Sequence, residues 1–228
     1  AVTSLAVILS WSRGAWLGFG AALAVLVLFW PRRPWLGLAL VVVAVALFGL
    51  AWQLDLVPAA VSERLVSFSQ DLRFGDVRGV DINDANYAVL ERLAHWQAAL
   101  AMIRDHLWTG VGFGAYEPAY PAYALVNWPY PLGHAHNYYF NILAETGIIG
   151  GMAYLVFWAA VFGQTLRLLY RLPWPQRGLA LGLLAAWTAL SVHHLVDKLY
   201  VNNVYIHLGA MLGLLQLLGM GENVKRKT

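Results

Sequence analysis

The sequence contains no cysteine among its 228 residues. That excludes disulfides, thiolate nucleophiles and Cys-based metal sites, and it leaves the redox compartment open. Charge is also scarce. Only 12% of residues are Asp, Glu, Lys or Arg, well below the roughly 25% of soluble domains. No basic stripe interleaves with aromatics, so nucleic acid is not an expected partner. The chain opens without methionine, at Ala1, and no charged segment precedes its first apolar run. That run does not read as a signal peptide. The expectation is the C-terminal portion of a longer protein.

What is abundant points to the bilayer. Hydrophobic residues make up 60% of the chain and eleven are tryptophan, the residue that gathers at membrane–water interfaces. The expected fold is all-α: a polytopic helical membrane bundle with one long extracytoplasmic loop. Residues 1–54 read as membrane spans, the first of them truncated. Residues 55–137 are mixed in character and cannot cross a bilayer. Three further spans occupy 138–218, and 219–228 form a basic cytoplasmic tail. Within the loop, about 84–107 reads as an amphipathic helix. Leu93, Trp96, Leu100, Ile103 and Leu107 follow three-four spacing, with Arg92, His95 and Arg104 on other faces.

Short-loop charge sets the expected orientation. Arg32 and Arg33, then Arg167, Arg171 and Arg177, then Lys225, Arg226 and Lys227 fall on alternate turns, so that side should be cytoplasmic. The opposite face then carries Arg13, the long loop, the His134/His136 corner and the Asp197 turn. The loop holds nine Asp and Glu against five Arg, but long loops cross regardless of charge.

The segment 133–147 concentrates the unusual polarity, where the aromatic-rich loop gives way to an apolar run of span length. Asn137, Asn141 and Glu145 recur every fourth residue and so mark one stripe of a helix. A carboxylate inside an apolar span faces protein, water or a ligand. Arg13 and Arg92 are guanidiniums on the face that carries the histidines. Arginine's bidentate fork suits a phosphate-bearing ligand there. His134 and His136 are two apart, so in an extended segment they point different ways, and on a helix they do not share a face. That spacing suits a shared metal less well than a helical i, i+4 pair does. One neutral imidazole acting as general base fits better, with His136 the candidate. His193 and Asp197 have i, i+4 spacing beside His194, Lys198, Asn202 and Asn203. A carboxylate orienting a histidine, or an ordinary polar helix end, is the reading there, ahead of a metal site. Gly110, Gly112 and Gly114 alternate as in some nucleotide loops, but no strand precedes them, so a tight loop at the membrane surface is expected instead.

Ser12-Arg13-Gly14-Ala15 between two spans, Arg92…Trp96 leading into Gly110-Val111-Gly112-Phe113-Gly114, and His134-Ala135-His136-Asn137…Glu145-Thr146-Gly147 together resemble the O-antigen ligases and O-antigen polymerases. The resemblance runs from Ser12 to about Gly150, most specifically in the His-Asn…Glu-Thr-Gly segment. It implies a glycosyltransferase that needs neither metal nor cofactor and sits in the bacterial inner membrane, with its site on the periplasmic face. The implied partners are a glycan on undecaprenyl diphosphate as donor, a glycan or lipid-carrier hydroxyl as acceptor, and the bilayer. On that pattern Arg13 and Arg92 would hold the diphosphate. His136 would be the base, with His134 as support or as the true base. Asn137, Asn141, Glu145 and Asp197 would be supporting residues. Ligase, polymerase and protein O-oligosaccharyltransferase share the pattern. The reading from another class is a transporter or flippase component, with Glu145 and Asp197 as coupling groups.

Overall fold

The computed structural model describes residues 2–59, 61–63, 66, 75–84 and 86–227, without the side chains of 3, 8 and 222–227. Arg64, Asp71 and Arg73 of the expected loop fall outside that set. The described residues form helices and no strand: α1 (Val2–Leu9), α2 (Arg13–Phe29), α3 (Pro34–Gln53), α4 (Tyr87–Asp105), α5 (Tyr116–Ala119), a 3-10 turn (Tyr120–Ala122), α6 (Tyr138–Arg171), α7 (Gln176–His193) and α8 (Val204–Lys227). Three helices are long and apolar enough to cross a membrane: α3, α6 and the 204–221 part of α8. α2 is a shorter apolar helix. The protein is therefore a helical membrane protein. Leu36, Leu38, Leu40, Val42, Val43, Val45 and Leu47 of α3 are all exposed. A helix this apolar on every side and this bare is stable only in hydrocarbon.

The chain forms two compact units. The first comprises residues 1–62, 158–193 and 199–228. Its central helix is α7, where Leu181, Leu184 and Trp187 are buried with Leu168, Leu169 and Leu215. Gly18 lets α2 approach α7, because a Cβ there would lie 2.8 Å from the Ala189 carbonyl oxygen. Gly37 allows α3 to cross the Leu28 backbone. The end of α2 is closed by a side chain rather than a glycine. Arg177, 1% exposed, donates to the carbonyls of Phe29, Trp30 and Pro31 and lies 5.1 Å from the Trp174 ring. Those carbonyls are helix-end acceptors that would otherwise be unmet. Arg177, counted in the sequence as loop charge, is thus a buried helix cap.

The second unit comprises residues 63–157 and 194–198. α4 packs on residues of its own loop. Ala98, Ala99 and Met102 are buried with Tyr116, Tyr120, Ala135 and Ala144, and Leu90, Leu93, Ala94 and Trp96 with Val77 and Trp128. The expected apolar face is thereby corrected. Leu100 and Leu107 are exposed, whereas His95 is 1% exposed. Ala98 and Ala99 on the buried side admit the Tyr116 and Tyr120 rings, and that steric fit outweighs the hydrophobic count.

α6 is not one continuous helix. Gly147, at φ 63° and ψ −166°, breaks it. Residues 107–112 dock against the break. Ile148 N–H donates to the Leu107 carbonyl (2.9 Å) and Ile149 N–H to that of Trp108 (3.3 Å). Val111 and Gly112 N–H donate in turn to the carbonyls of Ala144 and Glu145, at 2.9 Å each. Four backbone groups beside the break thus meet partners in this loop, as burial requires. Beyond Gly147 the helix still rises about 36 Å to Arg171, enough to cross hydrocarbon.

Candidate functional site

The site residues of the second unit are set by the corner before α6. Gly133 (φ 75°) and His136 (φ 51°) both adopt left-handed backbone, which for histidine costs about 1–2 kcal/mol. These turns fold the 134–136 segment back on itself. The His134 and His136 rings lie 4.4 Å apart, centroid to centroid. The segment is neither extended nor helical, so the divergence expected of regular backbone does not apply here. His136 N–H donates to His134 Nδ1 at 3.0 Å. Its carbonyl accepts from the Trp96 indole at 3.2 Å.

The polar residues behind this corner hold its backbone. Asn137 Oδ1 accepts from Tyr139 and Phe140 N–H (2.9 and 3.1 Å), and its amide donates to the Leu195 carbonyl at 2.8 Å. Asn137 therefore caps α6 from outside the helix. Asn141, 1% exposed, accepts from Ala135 N–H at 3.1 Å. Glu145, 5% exposed, accepts from Tyr116 N–H at 3.4 Å. Asn137 and Asn141 thus hold the corner, and Glu145 ties the start of α5 to α6.

Asp197 reaches the corner from the far end of the chain. α7 stops at His193, so helical i, i+4 spacing between His193 and Asp197 is not realised. Instead Tyr138 N–H donates to the His194 carbonyl at 2.9 Å, which seats residues 194–198 on the start of α6. Asp197 Oδ1 then lies 3.9 Å from His136 Nδ1. That distance is longer than a hydrogen bond and comes within reach of one if the two side chains turn toward each other. Both ring nitrogens of His136 are buried, and neither makes a hydrogen bond to any described residue.

The surroundings fix which groups carry charge. Burial, His136, Lys198 and Arg92 lower the His134 imidazole to about 4, against the opposing pull of Asp197. His134 is thus neutral near pH 7. Because its Nδ1 accepts a hydrogen bond, its proton sits on Nε2. Burial pushes the Asp197 carboxyl up, but His136, the Lys198 N–H and His134 outweigh it and bring it to about 2. Asp197 is therefore ionised. Burial, His136 and His134 lower His95 to about 4.

These shifts have a sign. His95 and His134 take up protons in the unfolded chain below about 6.5 but not in the folded one until about 4. Their contribution is full above pH 6.5 and lost as pH falls toward 4. Thermal midpoints in detergent should drop across pH 6.5 to 4, and the drop should shrink in His95→Phe. An unchanged slope in that variant would refute the assignment.

His134, His136 and Asp197 offer ligand atoms within 4.8 Å of one another, a spacing that three metal ligands also show. Arg92 and Lys198, however, act on His134 as positive charges and oppose a divalent cation there. Arg92, half-buried on α4, donates to the Ala88 carbonyl at 3.1 Å. The second unit thus brings together Arg92, His134, His136, Asn137, Asn141, Glu145 and Asp197. Arg13 belongs to the first unit. It is the first residue of α2, behind the Ser12 cap, whose hydroxyl accepts from Ala15 N–H at 3.3 Å. A cation in the first turn opposes the helix dipole. That placement favours an anion beside it.

Sequence reasoning missed His95. Its ring lies 5.4 Å from that of His136 and stacks on Tyr120 at 4.6 Å. A histidine one turn before two alanines and beside Trp96 is the signal the sequence offers.

The family model for O-antigen ligase matches residues 1–155. The chain belongs to the O-antigen ligase family. The match takes in α1 to α5, the histidine corner and the break at Gly147. Comparison with curated proteins returns no match. Membership makes this protein a membrane glycosyltransferase of the O-antigen ligase or polymerase type.

Proposed function

We propose that this O-antigen ligase family member is an inverting, metal-independent transferase. It moves a glycan from undecaprenyl diphosphate to an acceptor hydroxyl at the periplasmic side of the bacterial inner membrane. The observation that carries the reading is the disposition of His136: Nδ1 toward an ionised Asp197, Nε2 buried and unengaged. Closing the 3.9 Å gap to a hydrogen bond lets Asp197 hold the proton on Nδ1 and leaves the Nε2 lone pair available, the arrangement of a general base. Nε2 takes the acceptor hydroxyl's proton as the oxygen attacks the anomeric carbon. The carbon–oxygen bond to the diphosphate breaks, and the lipid diphosphate departs with the electron pair. In-line displacement inverts the anomeric centre, passing through oxocarbenium character.

His134 serves as support, since its Nδ1 is occupied by His136 N–H and its Nε2 carries the proton. Asp197 stabilises the imidazolium that forms. Arg92 supplies positive charge for the diphosphate as its charge develops. Arg13 enters on the family pattern and on its place at the head of α2.

The test is transfer by the full-length protein in lipid, with a defined undecaprenyl-diphosphate glycan, candidate hydroxyl acceptors and mass analysis of the product. The product should have inverted anomeric configuration, and chelator should leave the rate unchanged. Retention of configuration, or inhibition reversed by added divalent ion, overturns the mechanism. In the same assay Arg92→Lys and Arg13→Lys should each lose about tenfold or more, since lysine lacks the bidentate fork. Full activity in either variant makes that arginine structural.

A further inference from the structure

We propose that His95, anchored by the Tyr116 hydroxyl, is a positioning residue that holds the His136 ring at its working angle. The inference rests on His136 being the base. α4 meets His136 through two consecutive residues. Trp96 takes the His136 carbonyl at 3.2 Å, and the His95 ring meets the His136 ring edge-on at 75° and 5.4 Å. His136 needs such restraint. Its backbone is left-handed, and its carboxylate contact, at 3.9 Å, is too long to fix the ring about χ2 by itself.

His95 is itself fixed from the other side. Its Nδ1 is 3.0 Å from the Tyr116 oxygen, and the Tyr116 hydroxyl lies 3.3 Å from the His95 carbonyl. Its ring stacks on Tyr120 at 21°, and the Tyr120 hydroxyl donates to the Trp128 carbonyl at 2.9 Å. Tyr116 and Tyr120 are both 0% exposed. Three buried rings thus form a wedge behind His136, and each polar atom at the wedge's far end has a partner. A buried histidine costs more to order than the phenylalanine that would fill the same space, because its ring nitrogens lose water. Its place beside the candidate base is what that cost supports. Tyr116 sets the rotation of the His95 ring. The ring then excludes the positions into which the His136 imidazole would turn.

His95→Phe keeps the volume and loses the bond to Tyr116. Tyr116→Phe loses the same bond from the other side, with His95 intact. Measured per folded enzyme in the transfer assay, each should lower kcat about tenfold, with donor KM within twofold. The double variant should fall no further than the worse single one, because both changes interrupt one linkage. Thermal midpoints in the same preparations report folding. A purely structural role lowers the midpoint and leaves kcat per folded enzyme unchanged, which overturns the inference. So do losses that multiply in the double variant, or a change confined to KM. If His136→Ala is inactive while both phenylalanine variants are fully active, this inference alone fails. An active His136→Ala removes the reading of the site beneath it.

Discussion

His136→Ala should lower transfer by about 10²- to 10⁴-fold, the contribution of a positioned general base, while the protein still inserts in the membrane at normal abundance. The expectation follows from position. The half-buried ring packs against His134 and His95, with Asp197 3.9 Å from Nδ1 and no hydrogen bond at either nitrogen. Removing it takes away a proton acceptor and little packing, since its own backbone is held by Trp96 and His134. His136→Gln, which leaves Asp197 a partner, should be comparably inactive. That variant separates lost basicity from an uncompensated carboxylate. Single-turnover transfer by purified variants, normalised to folded protein, is the measurement. A rate within tenfold of wild type in both would end the general-base assignment. Asp197→Asn should fall between wild type and these variants. It keeps the side chain's shape but no longer stabilises the imidazolium.

The second large effect is on the fold that carries the site. Gly110→Ala should cost about 3 kcal/mol or more of stability, the upper part of the range for single substitutions. Two penalties coincide there. Gly110 sits at φ 67°, and a Cβ would press into the backbone of Glu145 and Thr146. Backbone on both sides leaves no flexible side chain to yield. Gly147 is the reciprocal contact, with its missing Cβ facing the Trp108 and Thr109 backbone. The loop that occupies the α6 break also leads to Tyr116, whose N–H bonds Glu145. Loss of this docking therefore releases both the helix break and the ring wedge behind His136. The expected outcome is a marked fall in thermal midpoint and abundance, with activity lost alongside. Gly79→Ala is the control. It has positive φ, yet nothing would approach an added Cβ, so its effect should stay near 1 kcal/mol. Equal effects at the two positions would mean that the loop contact carries no special weight.

Much of this protein was legible from composition and periodicity. Scarce charge and long apolar runs dictate a helical membrane protein, because helices alone satisfy the backbone of such runs in lipid. The resemblance in the Ser-Arg-Gly, glycine-loop and His-Asn…Glu-Thr-Gly segments led to the family. Residues 133–147 stood out because polar groups at the head of an apolar run need a reason to be there. The limits of that reading are equally specific. Local periodicity assumes regular backbone. The left-handed residues Gly133 and His136 bring two histidines together that alternation would set apart, and Gly147 splits what hydropathy reads as one span.

Pairings between distant segments left still less trace. Asp197 looked like the partner of His193 because both were placed on one helix. α7 ends at His193, and the backbone bond from Tyr138 to His194 delivers the carboxylate to His136 across about sixty residues of chain. His95 was assigned to an outer face because hydrophobic counting gave the inner face to leucines. Alanines won instead, since only small residues leave room for Tyr116 and Tyr120. Arg177 read as loop charge, and its role as the cap of α2 depends on carbonyls nearly 150 positions away. The sequence by itself determined class, family and the chemical vocabulary of the site, because burial and solvation act on each residue's own composition. Tertiary structure alone decided which imidazole faces the carboxylate, since hydrogen bonds and ring contacts between remote segments have no fixed spacing along the chain.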